Sequence, residues 1–192
     1  MKMKANSQNL KVFRNDRALV SIRRDECDDR KLQGFIVDFS ESLILLQYVY
    51  DFRVDGRLLL RIEDITDMES TETDQFQKQL LLEEGDFEKI DFSRKQPISS
   101  YDAYLLSLPR NEIVILEDEL AEDPEFLIGT LMFADDQIAT VRFFNGAAKW
   151  KDQPSDIEIK RITCCQTRNN YINYYANHFA RKGTLLATRK DG

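Results

Sequence analysis

Cys27, Cys164, Cys165 and His178 are the side chains of this chain best suited to a soft metal ion. Their spacing argues against one. Zinc ligands usually come in pairs two to four residues apart, and adjacent cysteines on a strand point to opposite faces. The expectation is ordinary cysteines, some of them buried, with no metal and no other cofactor. His178 is the one histidine, so any histidine-dependent mechanism would rest on it. No nucleophile stands near it in sequence, and packing on the apolar stripe of a C-terminal helix accounts for it. Asp51, Asp55, Asp64, Asp135 and Asp136 could pair for acid–base work or hold a divalent ion. Each also stands in turn-forming sequence, and turn chemistry is sufficient for all five. No residue is assigned a catalytic role, and the chain is read as a non-enzyme.

Binding is the remaining class of chemistry. Tyr48, Tyr50, Phe52, Phe143, Phe144 and Trp150 could stack on the bases of a single strand. Only Arg53, Arg142 and Lys149 interleave with them, so core packing is the stronger reading. Glu117, Asp118, Glu119, Glu122, Asp123 and Glu125 form an acidic run, read as a solvated loop able to meet a basic partner. Lys2, Lys4, Lys11 and Arg14 give a basic start, read as a loose arm or short helix. The whole chain carries 27 Lys and Arg against 34 Asp and Glu, a net charge of −7. That balance leaves nucleic acid possible but disfavoured, because phosphate binding needs a basic face.

The elements that would carry these residues are short and mostly extended. Hydrophobic residues make up 42% of the 192, enough for packed cores. Three cysteines, two of them adjacent, make no disulfide framework and suggest a reducing cytoplasm. No apolar stretch has signal-peptide character or the roughly 18 residues that cross a bilayer, so no membrane is expected.

Residues 18–22 read as a first strand, turned around by the charged run RRDECDDRK. In residues 33–39, Phe35, Val37 and Phe39 alternate, and Gly34 marks a bend or a close backbone approach. Residues 43–52, LILLQYVYDF, are apolar on both faces, as in a strand covered twice. Asp55-Gly56 gives the signal for a tight hairpin turn with positive φ angles. Residues 58–61 and 65–69 return as strands on either side of a turn at Glu63-Asp64. A helix over 73–83 places Phe76 and Leu80 on one side.

Pro97, Ser99, Ser100 and Pro109 punctuate a connector over 87–110. Within it Ser99 and Asp102 resemble a capping box, followed by Tyr101, Tyr104, Leu105 and Leu108 on one helical side. The earlier order then starts again. Strands are expected over 113–116, 126–134, 138–144 and 157–165. A closing helix carries Tyr171, Tyr174, Tyr175, His178 and Phe179.

Gly34 meets Gly129 and Leu43 meets Ile138 at a spacing of 95 residues, and Ile65-Thr66 meets Ile162-Thr163 at 97. Few identities survive, but the order of elements does. This is a duplicated domain rather than a solenoid. The expected division is an arm over 1–16, a first domain over 17–86, the connector 87–110, a second domain over 111–181 and a tail over 182–192. The fold class is mainly β with flanking helices, α+β.

The run Gly34-Phe35, Val37, Ser40, Leu43, Leu45-Leu46, Asp51-Phe52-Arg53, Asp55-Gly56, Leu58, Leu60-Arg61 and Asp64-Ile65-Thr66 resembles a group of uncharacterised bacterial proteins with tandem Sm-like domains. The resemblance implies two small, bent, five-stranded SH3-like barrels. It covers the first domain well, the second in outline and neither terminus, and it brings no activity with it. Sm-like proteins commonly bind RNA through an Asp with an Asn four residues beyond it. Ser40 and Ile44 stand at those places in the first copy, Asp135 and Ala139 in the second. Their Arg-Gly pair is also missing: Arg61 precedes Ile62, and the second copy offers Glu158 or Lys160 without a glycine.

The expectation is therefore a cytoplasmic bacterial interaction module, binding a protein partner or itself through barrel edges. Arg53 and Asp55 at an exposed turn, or Glu117, Asp118 and Glu119, are the candidate contacts, with Phe35, Phe39, Tyr48 and Phe52 as supports. An RNA or single-strand-binding regulator is the alternative.

Overall fold

A computed structural model describes residues 5–93 and 95–184. Lys2 and Lys4 of the expected arm, and residues 185–192 of the expected tail, lie outside the described residues. Among the described residues the chain is mainly β with four α-helices. It divides into two compact units, Met1–Ser99 and Ser100–Gly192.

The first unit opens with helix α1, Ser7–Asn15, whose Asn6 cap accepts a hydrogen bond from Asn9 N (3.0 Å). Leu10 is fully buried, so this stretch is a packed helix. Arg14 Nε donates to Val37 O (3.0 Å) and its guanidinium faces Asp38. The cation is spent on the sheet. Five strands follow: β1 Leu19–Arg24, β2 Asp28–Phe39, β3 Leu43–Tyr50, β4 Arg53–Arg61 and β5 Asp67–Glu69. They form an antiparallel meander in which β5 returns beside β1, giving the order β5-β1-β2-β3-β4. The ladder is open between β4 and β5. The run RRDECDDRK is mostly strand, with the turn confined to 25–27, because a charged β-hairpin tip can stay paired while its side chains reach solvent.

The expected turn at Asp55-Gly56 is not there. Tyr50 pairs with Arg53, which leaves Asp51 and Phe52 as a two-residue loop with φ angles of 47° and 60°. Two successive positive φ values are those of the tight hairpin turn whose twist matches its strands. Asp55 and Gly56 lie inside β4, where the register slips by one residue opposite Tyr48. The Gln47 amide donates to both of their carbonyls, Asp55 O and, at 2.8 Å, Gly56 O. Asp-Gly therefore marks a bulge, the other place where a strand tolerates glycine.

Helix α2, Glu72–Glu83, closes the unit through a capping box of Thr71 and Asp74. Its inward residues are Asp74 and Leu81, whereas Phe76, expected to share a side with Leu80, is 58% exposed. Beyond it Phe87 and Phe92 meet the edge of the buried Phe35 ring, at 5.4 and 6.1 Å between centroids.

The second unit repeats this plan. Helix α3, Tyr101–Ser107, is its first element, capped by Ser100 rather than Ser99. Tyr104 is buried, its hydroxyl 3.2 Å from Thr167 Oγ1. Strands β6 Ile113–Asp118, β7 Glu125–Ala134, β8 Ile138–Phe143, β9 Ser155–Glu158 and β10 Cys164–Thr167 give the order β10-β6-β7-β8-β9. The single strand expected over 157–165 is two, broken by a short 3-10 turn at Ile159–Arg161. Helix α4, Asn170–Lys182, lays Ile172 and Phe179 on a core of Ile113, Ile115, Ile128 and Phe144. Tyr171 and Tyr174, expected on that stripe, are exposed.

Equivalence between the units runs through every element. Leu10 and Tyr104 fill the same place 94 residues apart, and Val20 and Val114 the same rung of their ladders. Gly34 pairs with Tyr48 and Gly129 with Phe143, each 95 residues apart. Three residues beyond each glycine comes a bulge, at Val37 and Met132. Helices α2 and α4 match at 98. The small growth in spacing comes from extra residues in the second unit, one after β6, two after β8 and one after β10.

Candidate functional site

Arg53 opens β4 on the exposed hairpin end, beside Tyr50 and Phe52, both more than half exposed. Phe52 is thus a displayed side chain and not a core support. Asp55 is half-buried in the bulge rather than held at a turn tip. Tyr48 is half-buried beneath the same end, and burial pushes its hydroxyl pKa upward. The structure keeps Arg53 available and gives Asp55 a structural setting.

The acidic run is more deeply committed than a solvated loop would be. Asp118 is only 3% exposed and accepts from Arg161 Nε at 2.6 Å. Arg161 also reaches Glu125 at 3.4 Å. The Glu117 carboxylate accepts from the Gln166 amide, and Thr163 Oγ1 donates to Glu119 Oε2 at 2.8 Å. Charge count alone hid this, since these acids lie opposite β10 and the cation of the 3-10 turn before it. Glu117 holds β10 against β6, whereas Asp118 and Glu119 tie down Arg161 and Thr163 in the segment that leads into β10.

Other reactive groups are equally occupied. Cys164 and Cys165 are buried and unbridged, and burial pushes the Cys165 thiol far above its ordinary value. It remains a protonated thiol at neutral pH, which makes it a poor nucleophile. The half-buried His178 packs edge-on to Phe179, with centroids 5.6 Å apart. Asp135 accepts from Gln137 N (2.9 Å) and Ile138 N (2.8 Å), bonds that lower its pKa, and Asp64 pairs with Arg61. Among the described residues no three His, Cys, Asp or Glu side chains converge on a point where a metal could sit.

What remains displayed is strand edge and helix surface. Among the described residues β9 pairs with β8 alone, and Ile159 N donates to Gln137 O (2.8 Å). The alternation of an antiparallel ladder then turns the backbone groups of Asp156 and Glu158 away from β8. Both side chains are exposed, while Ile157 between them is buried. β5 pairs with β1 in the same one-sided way. Between α1 and α2 lies an open groove of about 530 Å³, with Val12, Phe13, Leu19 and Leu82 as its apolar lining. Lys78 Nζ reaches Asp16 O across it, at 3.1 Å.

Helix surfaces hold the residues that sequence patterning missed. Tyr174, 71% exposed, and Phe76 stand at matching positions of α4 and α2. Their aromatic character suggests burial, but the inward faces are taken by Ile172 and Phe179 on α4 and by Asp74 and Leu81 on α2. No described helix is long and apolar enough to cross a membrane. Comparison of the chain with protein families, curated proteins and solved structures found no match.

Proposed function

We propose that this chain is a non-enzymatic interaction module, two Sm-like barrels in tandem, that binds a protein partner in the cytoplasm by adding a strand to a barrel edge. The open side of β9 supports this reading most directly. It offers outward backbone groups at Asp156 and Glu158, and a partner strand gains main-chain hydrogen bonds there. The strand order β5-β1-β2-β3-β4, repeated in the second unit, agrees with an Sm-like meander. The acid–base candidates are all committed to turns, a bulge or ion pairs, which leaves recognition as the chemistry on offer.

Charge sharpens the partner. Asp156 and Glu158 on β9 and Asp67 and Glu69 on β5 are acidic, so these two edges repel one another. An extended segment carrying Lys or Arg fits β9 better than a second acidic edge. The test compares wild type with Asp156→Pro, which removes one outward N–H and leaves the β8 ladder intact. Wild type captures a protein from a bacterial lysate, and the substituted chain, equally folded by circular dichroism, loses it. Equal capture by both chains sinks edge recognition. Sub-micromolar, salt-sensitive binding of an oligonucleotide in place of any protein establishes the RNA alternative.

A further inference from the structure

The closing helices of the two units carry opposite charge on the same surface positions. Glu72, Phe76, Gln79 and Glu83 run down the exposed side of α2, spaced four, three and four residues apart. Asn170, Tyr174, Asn177 and Arg181 run down the exposed side of α4, each 98 residues later. Glu84 and Lys182 extend the match by one position. Each stripe thus has an exposed aromatic at its centre, an amide below it and two charges at its C-terminal end, acidic on α2 and basic on α4.

The rest of each helix reinforces the contrast. No Asp or Glu occurs between Ile159 and Lys190 of a chain whose net charge is −7. Arg181 and Lys182 have no ion-pair partner among the described residues. The single cation of α2, Lys78, is drawn to Asp16 O and the Phe87 ring. Both aromatics are left largely in solvent, and covering them removes apolar surface from water.

We propose that α2 of one copy packs along α4 of a second copy, the helices parallel. Glu83 and Glu84 then meet Arg181 and Lys182, and Phe76 meets Tyr174. The matched register selects a second copy over an unrelated protein, because each helix supplies the complement that the other lacks, position by position. Aromatic and Arg side chains at the centre and charges at the rim are the usual anatomy of such a surface. Helices of 12 and 13 residues are about 18–20 Å long, so the contact is small and dissociates on dilution. It is heterologous where α2 and α4 of one copy engage different neighbours, and isologous where both engage the same one. The inference deepens the interaction-module reading, on which it rests only in requiring a protein partner.

Sedimentation velocity of the full chain tests it. Wild type associates with rising concentration, and added salt weakens the association. The double substitutions Glu83→Arg with Glu84→Lys, and Arg181→Glu with Lys182→Glu, each weaken self-association by about tenfold or more while leaving thermal melting unchanged. Mixing those two variants restores association, as does combining all four substitutions in one chain. Asp156→Pro leaves self-association intact, so a failure of edge recognition is distinguishable from a failure here. A wild type that stays monomeric overturns the proposal, as does association indifferent to the charge exchanges or abolished by Asp156→Pro. Binding of a twelve-nucleotide single strand that Arg181→Glu with Lys182→Glu removes, with no change in protein mass, assigns α4 to nucleic acid instead.

Discussion

Asp74 and Ile172 occupy the same place, the third residue of the helix that closes each unit, and both are buried, at 1% and 3% exposure. Asp74 Oδ1 accepts from Ser21 Oγ (2.7 Å) and Gln33 Nε2 (2.7 Å), and its Oδ2 accepts from Thr71 N (2.7 Å). Ser21 and Gln33 face each other across β1 and β2. At the matching rung of the second unit stand Ile115 and Ile128, packed against Ile172. Three positions have changed character together. A buried polar group is tolerated where its partners are polar, and an apolar one where they are apolar.

Replacing Asp74 by Ile alone therefore destabilises the first unit. Ser21 would keep its hydroxyl in the core with its carboxylate acceptor gone, and the half-buried Gln33 would be left with Gln77 alone, at a cost of about 2–4 kcal/mol. Ser21→Ile, Gln33→Ile and Asp74→Ile together copy the second unit and recover most of the loss. Urea unfolding of the three single variants and the triple variant checks this. Additive losses, with the triple variant the least stable, would contradict a shared network.

The same carboxylate makes the two units differ in acid. Burial alone would raise its pKa, but bonds from Thr71 N, Ser21, the Thr71 hydroxyl and Gln33 outweigh that and hold it below its ordinary value of 3.8. A group with a depressed folded-state pKa stabilises the fold above its unfolded value, and that contribution fades as pH falls through the folded one. Asp28, Asp135 and Glu158 are lowered as well, so acid weakens both units. The difference between wild type and the triple Ile variant isolates Asp74. Wild type loses stability relative to that variant on going from about pH 5 to about pH 2, measured by urea midpoints. A gap that stays constant across that range removes Asp74 as the cause.

Gly34 and Gly129 each stand directly against the backbone of the neighbouring strand. A Cβ on Gly34 would stand 2.6 Å from the Gln47 carbonyl oxygen, and one on Gly129 only 2.1 Å from that of Arg142. Both obstacles are backbone, which cannot swing aside as a side chain can. Gly34→Ala costs about 2–3 kcal/mol and Gly129→Ala more, read from thermal or urea melts of the full chain. Equal, small effects would mean that β3 and β8 slide outward without loss.

Sequence carried the plan of the fold further than its details. Duplication was legible because glycine spacing and apolar alternation survive where identities do not, as Gly34 and Gly129 illustrate. The helix at 101–107 is legible, that at 7–15 only as one of two readings of residues 1–16, and their equivalence is hidden because Leu10 and Tyr104 share a position but no chemistry. The site was less legible. Asp118 is chemically like any loop acid, and only the placement of Arg161 opposite it determines that it is buried. Phe76 shares a helix side with Leu80 and Tyr174 belongs to the amphipathic run of the last helix, but apolar residues on adjacent sides do not say which side faces the sheet.

The hairpin shows the same ambiguity and yields the last prediction. Asp55-Gly56 has the better turn sequence, but a turn there would shift β4 against β3 and carry Leu58 and Leu60 off their buried rungs opposite Leu46 and Ile44. Core register wins, and the loop falls on Asp51-Phe52, where both residues take positive φ. Phe at φ 60° is strained by the contact between its Cβ and the backbone, by about 1 kcal/mol or more. Asp51→Asn with Phe52→Gly supplies the residues that conformation favours, and should stabilise the first unit by about 1 kcal/mol. The urea midpoint rises if that strain is relieved. An unchanged or lower midpoint would mean that the exposed Phe52 ring contributes packing against its neighbours worth as much as the strain it carries.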